Sequence, residues 1–123
     1  MAARWFVIGA VLAAAGVAMG AFGAHALKAR VGMEMLAVWE TGARYHLIHA
    51  VALLASALAC DKWPGPWTRT AGWLFVAGIA LFSGSLYALA LTGVRALGAI
   101  TPLGGLCFIA GWLSLAIGAW RGR

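Results

Sequence analysis

The sequence predicts an all-α integral membrane protein: a compact antiparallel bundle of four transmembrane helices, with a short interfacial helix between the first two spans. Three observations lead there. Of the 123 residues, 64% are apolar and only 10% charged, against about 25% charged in an ordinary soluble domain. Mean hydropathy is +0.94. The charges are confined to short stretches that separate four uncharged runs, Trp5–Ala24, Tyr45–Cys60, Thr70–Val94 and Ala96–Trp120. Residues 1–123 thus read as one transmembrane domain with spans at about 5–25, 43–60, 70–93 and 97–120.

The first run is long enough to cross alone, since twenty helical residues at about 1.5 Å each cover roughly the 30 Å of a bilayer core. Arg4, this run and the Ala24-His25-Ala26 triplet imitate a signal peptide with its cleavage site. The run exceeds the about 7 to 15 residues of a signal core, so it is read as a helix. Next comes "KARVGMEMLAVWETGAR", with Met33, Leu36, Ala37 and Glu40 at helical spacing and Arg30 and Glu34 nearby, which predicts the interfacial amphipathic helix. The second run is the shortest and is expected to begin upstream, within Thr41–Arg44. In "DKWPGPWTRT", Pro64-Gly65-Pro66 cannot continue a helix and predicts a tight, stiff turn. Cys60 and Cys107 fall in different runs at different depths, and read as buried thiols rather than a bridge.

The net charge of +6 does not point to nucleic acid. The basic residues stand singly at the ends of apolar runs, where cations anchor to lipid headgroups, and no basic patch has interleaved aromatics. An even number of spans puts both termini on one side, with Arg4, Lys62, Arg69, Arg121 and Arg123, against Lys28, Arg30, Arg44 and Arg95 on the other. The positive-inside rule therefore favours cytoplasmic termini by a narrow margin. Trp5, Trp63, Trp67, Trp73 and Trp120 all fall near the terminus-bearing face and predict an indole belt there. The partners implied are the lipid bilayer itself and a second copy or another membrane protein.

In lipid, one apolar helix gains little by hiding from solvent, so small residues that let backbones approach must supply the contact. Gly16 and Gly20 form a GxxxG extended by Ala24; Ala80, Gly84 and Ala88, then Ala110, Ser114 and Gly118, repeat the spacing in the third and fourth spans. Leucine at Gly20 or Gly84 is expected to disrupt folding. No heptad or solenoid repeat is visible.

The polar residues gather in one half of the membrane. With both termini on the same side, His25, then Tyr45, His46 and His49, then Ser83, Ser85 and Tyr87, then Thr101-Pro102 all map to the half remote from the termini. The other half offers little beyond Ser56 and Ser114. Unsatisfied polar groups in hydrocarbon cost several kcal/mol, so these side chains are expected to face the bundle interior, His25 among them and near His46 or His49.

The segments "GAFGAHALK", "WETGARYHLIHAVALL", "LFSGSLYALAL" and "TPLGGLCFIAGW" occur in that order across nearly the whole chain. In this the sequence resembles the YgdD-like family, small four-pass membrane proteins grouped as a domain of unknown function, with eukaryotic TMEM-type relatives. The resemblance implies a multi-pass protein of the bacterial plasma membrane without an established activity. It directs attention to Gly20, Gly23, His25, Gly42, Tyr45, His49, Ser83, Gly84, Ser85, Tyr87, Thr101, Pro102 and Gly104, with Gly23 and Gly104 joining the packing glycines.

The leading functional reading is a structural or partner-binding membrane protein, not an enzyme and without a cofactor, whose polar cluster rigidifies the bundle. The alternative is binding or translocation of a small ligand, ion or lipid through that cluster, because intramembrane polar residues commonly mark such paths. A metal held by His25, His46 and His49 is a lesser reading, with no H-E-x-x-H or clustered carboxylate to support it. Haem has no attachment motif. A triad of Ser83 or Ser85, a histidine and Glu40 lacks the strand-to-helix elbow that such a nucleophile occupies.

Overall fold

The computed structural model describes residues 2–123. Its helices, in order, are α1 (Ala2–Ala24), α2 (Met33–Lys62), α3 (Pro66–Gly78), a π-helical segment (Ile79–Ser83), α4 (Gly84–Thr92) and α5 (Thr101–Gly122). Short 3₁₀ segments, Leu27–Ala29 and Arg95–Ala99, link α1 to α2 and α4 to α5. Four helical stretches are long and apolar enough to cross a membrane, with α3, the π segment and α4 forming the third.

The region expected as a separate interfacial helix resolves differently. Leu27–Ala29 makes one 3₁₀ turn, and Met33 to Glu40 form the first turns of α2, which runs 30 residues without a break. The reason is Trp39, almost fully buried, whose Nε1 donates to the Met19 carbonyl of α1 at 2.7 Å. That contact holds the start of α2 against the bundle instead of leaving it on the surface. The Pro64-Gly65-Pro66 turn behaves as its composition requires: Gly65 has φ of 150°, which only glycine adopts readily, and Pro66 opens α3.

The four spans do not form a closed square. α2 is the centre; α1 packs chiefly on α2, and α5 chiefly on α3 and the π segment. The core at the terminus-bearing end is built on Trp5, Leu53, Ala57, Ala71, Phe75 and Phe108. A smaller core at the other end joins Leu27, Trp39 and Ala90, backed by Tyr87.

Close approach comes from glycine, at a spacing the sequence reading did not single out. Gly9, Gly16 and Gly23 are the buried glycines of α1, and Gly104, Gly111 and Gly118 those of α5, each set seven residues apart. A Cβ on Gly16 would lie 2.7 Å from Leu47 Cδ2, one on Gly111 2.7 Å from Phe75 Cε1, and one on Gly104 2.7 Å from Phe82 Cα. Gly23 accommodates the Trp39 ring. By contrast, nothing lies within 4 Å of a Cβ on Gly20, and for Gly84 only the Ile79 carbonyl reaches 4.0 Å. The geometry explains both. Residues seven apart drift only about 20° around a helix, whereas those four apart drift about 40°, which carries Gly20 off the contact line. In the third span the π turn inserts an extra residue and rotates the following face by about 100°, which breaks the Ala80–Gly84–Ala88 line: Ala80 is exposed, while Gly84 and Ala88 are half-buried.

Trp5 departs from the indole belt as well. It is fully buried against Gly72, with its ring edge-on to Trp73 at 5.0 Å. Trp67, Trp73 and Trp120 are exposed and Trp63 is half-buried at the same end.

Candidate functional site

α2 carries two buried histidines toward its middle, three residues apart, and each is held by other helices. His46 lies between α1 and α4: its Nε2 is 2.8 Å from the Leu12 carbonyl and its Nδ1 2.8 Å from the Tyr87 hydroxyl. A carbonyl only accepts, so the proton sits on Nε2, and Tyr87 donates its O–H to Nδ1 of the neutral ring. His49 has the opposite arrangement. Its Nδ1–H donates to the Tyr45 carbonyl one turn back at 2.7 Å, and its Nε2 accepts from the Trp112 indole of α5 at 3.1 Å. Both rings therefore have both nitrogens engaged by protein groups.

The hydroxyls are closed in the same way. Ser83, in the π segment, donates to the Gly42 carbonyl of α2 at 2.7 Å. The Thr101 hydroxyl donates to Ser85 Oγ at 2.6 Å, leaving the Ser85 proton for the Phe82 carbonyl at 2.9 Å. These bonds tie α2 to the third span and α4 to the first turn of α5. Gly42 has a second role, because a Cβ there would press on Tyr87 Cε1 at 3.1 Å and displace the phenol from His46.

Around His49 the polar cluster gives way to an aromatic one. The imidazole stacks face to face on Phe108, with ring centres 3.5 Å apart and planes 6° from parallel. Tyr45, Phe82 and Trp112 complete a groove of about 490 Å³ that also meets Ile48. Gly104 makes this possible by admitting the Phe82 backbone against α5.

The structure thus joins the residues singled out in the sequence in separate sets: His46 with Tyr87, His49 with Tyr45, Ser85 with Thr101, and Ser83 with the Gly42 backbone. His25 is elsewhere: it is exposed just beyond α1, its backbone N–H bonded to the Ala21 carbonyl. Gly23 is the residue that faces inward against Trp39, and two residues further on is about 200° around the helix, which turns His25 away. Among the described residues no group of three or more His, Cys, Asp or Glu is close enough to hold a metal ion, so the three histidines do not converge. Pro102 is exposed at the start of α5, where it begins the helix instead of lining the cluster. Cys60 and Cys107 are free thiols.

Trp39, Phe82, Phe108 and Trp112 escaped the sequence reading. One signal was available: tryptophan favours membrane interfaces, so Trp112 at mid-span asks for a buried hydrogen-bond partner.

The family described as "Protein of unknown function (DUF423)" matches residues 19–105, which span α2, the π segment and the opening turn of α5. The chain belongs to this family. The UPF0382 membrane protein YwdK of Bacillus subtilis is 47% identical over 116 residues, covering 94% of each chain. UPF0382 membrane proteins of Staphylococcus saprophyticus and Staphylococcus haemolyticus are 44% and 42% identical over 117 residues, covering 95% of this chain and 97% and 95% of theirs. No solved structure matches. Within the DUF423 match lie His25, both buried histidines and all the hydroxyls bonded to each other or to a histidine. Trp112 lies beyond it.

Proposed function

We propose that this DUF423 protein is a non-catalytic structural membrane protein, a rigid four-helix module of the bacterial plasma membrane with cytoplasmic termini. In this reading it acts by associating in the bilayer with another membrane protein or a second copy, and its His/Ser/Tyr cluster, running from mid-membrane toward the outer face, holds the helices in one arrangement. The observation that carries the reading is the saturation of that cluster: the imidazole nitrogens of His46 and His49 and the hydroxyls of Ser83, Ser85, Tyr87 and Thr101 are all engaged within the protein. A metal ligand needs a free lone pair, and in this arrangement both imidazole acceptors are already occupied, His46 Nδ1 by the Tyr87 hydroxyl and His49 Nε2 by the Trp112 indole. Its relatives are named as membrane proteins, the setting that this reading requires.

A second reading has one observation in its favour. The aromatic groove beside His49, about 490 Å³ and lined by Tyr45, Ile48, Phe82, Phe108 and Trp112, is of a size to take a small apolar ligand or part of an acyl chain. The two separate in one experiment. Wild type and His49→Phe are purified in nanodiscs of bacterial lipid, and bound metal and small molecules are measured by mass spectrometry alongside thermal unfolding. The structural reading expects a less stable variant and nothing near-stoichiometric lost from it. A metal or organic ligand present in wild type and absent from His49→Phe would contradict it and make the groove a binding site.

A further inference from the structure

A second recess lies at the opposite end of the molecule from the Ser85–Thr101 pair. It measures about 440 Å³ and sits between the α2–α3 turn and the last turn of α5, walled by Trp63, Pro64, Pro66, Trp67 and Arg121. Its walls are fixed. Thr68 Oγ1 donates to the Trp63 carbonyl at 2.9 Å and pins the proline turn. Gly118 and Gly122 let α5 come close: a Cβ on the first would lie 2.8 Å from Thr68 Cγ2, and on the second 2.8 Å from Trp63 Cδ1.

Arg121 is the only charged residue in the lining. Arg4, Lys62, Arg69 and Arg123 lie at the same end, where Asp61 is the one carboxylate side chain. The one salt bridge among the described residues joins Arg95 to Glu34 at the other end, so Arg121 has no carboxylate partner. The recess also opens among exposed or half-buried indoles, Trp63, Trp67 and, nearby on α5, Trp120, which carries the Arg123 guanidinium 3.7 Å above its ring. Indoles of this kind settle at the depth of lipid headgroups. A guanidinium fork matches the oxygens of a phosphodiester, and basic recesses between transmembrane helices suit anionic headgroups.

We propose that this recess binds the headgroup of an anionic phospholipid from the leaflet on the terminus side, Arg121 holding the phosphate and Trp63 and Trp67 flanking the glycerol region. Charge complementarity selects the occupant: an uncompensated guanidinium in an excess of cations, placed where the bilayer presents its phosphates.

The test uses the full chain in nanodiscs of equal phosphatidylglycerol and phosphatidylcholine, with native mass spectrometry of the lipids retained after release. Wild type is expected to retain phosphatidylglycerol preferentially. Arg121→Gln should lower that preference about fivefold, the worth of one basic residue at an anionic surface. Arg121→Lys should hold most of it, and Arg4→Gln, at the same end but outside the recess, should leave it unchanged. Excess inorganic phosphate should not displace the lipid. Equal retention of the two lipids, an unchanged preference in Arg121→Gln, an equal fall in Arg4→Gln, or displacement by inorganic phosphate would each overturn the proposal.

Discussion

The Trp112 indole donates its only polar hydrogen to Nε2 of His49 across 3.1 Å, joining α5 to the centre of α2. An indole cannot accept, so this contact fixes the imidazole as neutral with its proton on Nδ1, where the Tyr45 carbonyl waits at 2.7 Å. Trp112→Phe keeps a ring in the groove and leaves Nε2 without a donor. The expected loss is about 0.6 kcal/mol and at most about 1.7, the mean and upper value for interhelical hydrogen bonds inside membranes. Reversible unfolding in bicelles measures it, and a double-mutant cycle with His49→Phe should return a coupling of the same size. Additive losses would mean that the two residues do not act together.

Tyr87→Phe removes the hydroxyl that serves His46 while preserving the tilted stack on Trp39, whose ring centre is 4.5 Å away. The expected cost is again about 1 kcal/mol. Gly42→Ala should cost at least as much, because its methyl presses on the same phenol and on Leu86 Cβ at 3.3 Å. Thermal unfolding of both variants in one detergent checks the order.

The glycines divide sharply. Gly104→Ala places a methyl against the Phe82 backbone, which cannot rotate away, and an overpacked contact of this kind costs about 1 to 3 kcal/mol. Gly20→Ala meets open space and should leave the unfolding midpoint unchanged or slightly raised, since alanine is the better helix former. Even Gly20→Leu is expected to fold, the reverse of what the GxxxG spacing implies.

The Arg95–Glu34 pair, 3.2 Å apart, connects the start of α2 to the 3₁₀ turn before α5, with 73% and 67% of the two side chains exposed. Surface pairs of this kind contribute about 0 to 1 kcal/mol. Glu34→Gln should therefore shift stability by less than Trp112→Phe does, and less still at high salt.

How much of this was readable beforehand follows from what each pattern encodes. Charge-free run length marks the four spans, because a bilayer core demands that length and excludes charge. The pairing of His46 with Tyr87 and of Ser85 with Thr101 requires the up-down path of the chain, which brings α2 beside α4 and α4 beside α5. His25 was misplaced because depth in the membrane says nothing about angle around a helix; Gly23 and Trp39 decide that angle. Of the glycines expected to pack, Gly16, Gly23 and Gly104 do so, while Gly20 and Gly84 were misassigned for a related reason. Four-residue spacing is the familiar small-residue motif, while the contacts here run along seven-residue lines, and the π turn at Ile79–Ser83 shifts the face of the third span. Nothing local in the sequence announces that turn. The partnership of Trp112 with His49 bridges 63 positions and becomes visible only once α5 is seated on Phe75 of α3 through Gly111.

The claim that the cluster is a closed interhelical clamp has one direct test: the ¹⁵N spectrum of the histidine side chains in lipid bilayers, recorded with and without added zinc. Two buried neutral rings of opposite tautomer are expected, His46 protonated on Nε2 and His49 on Nδ1, with neither resonance moved by zinc. Doubly protonated or tautomer-exchanging rings, or a zinc-induced shift at either histidine, would contradict it.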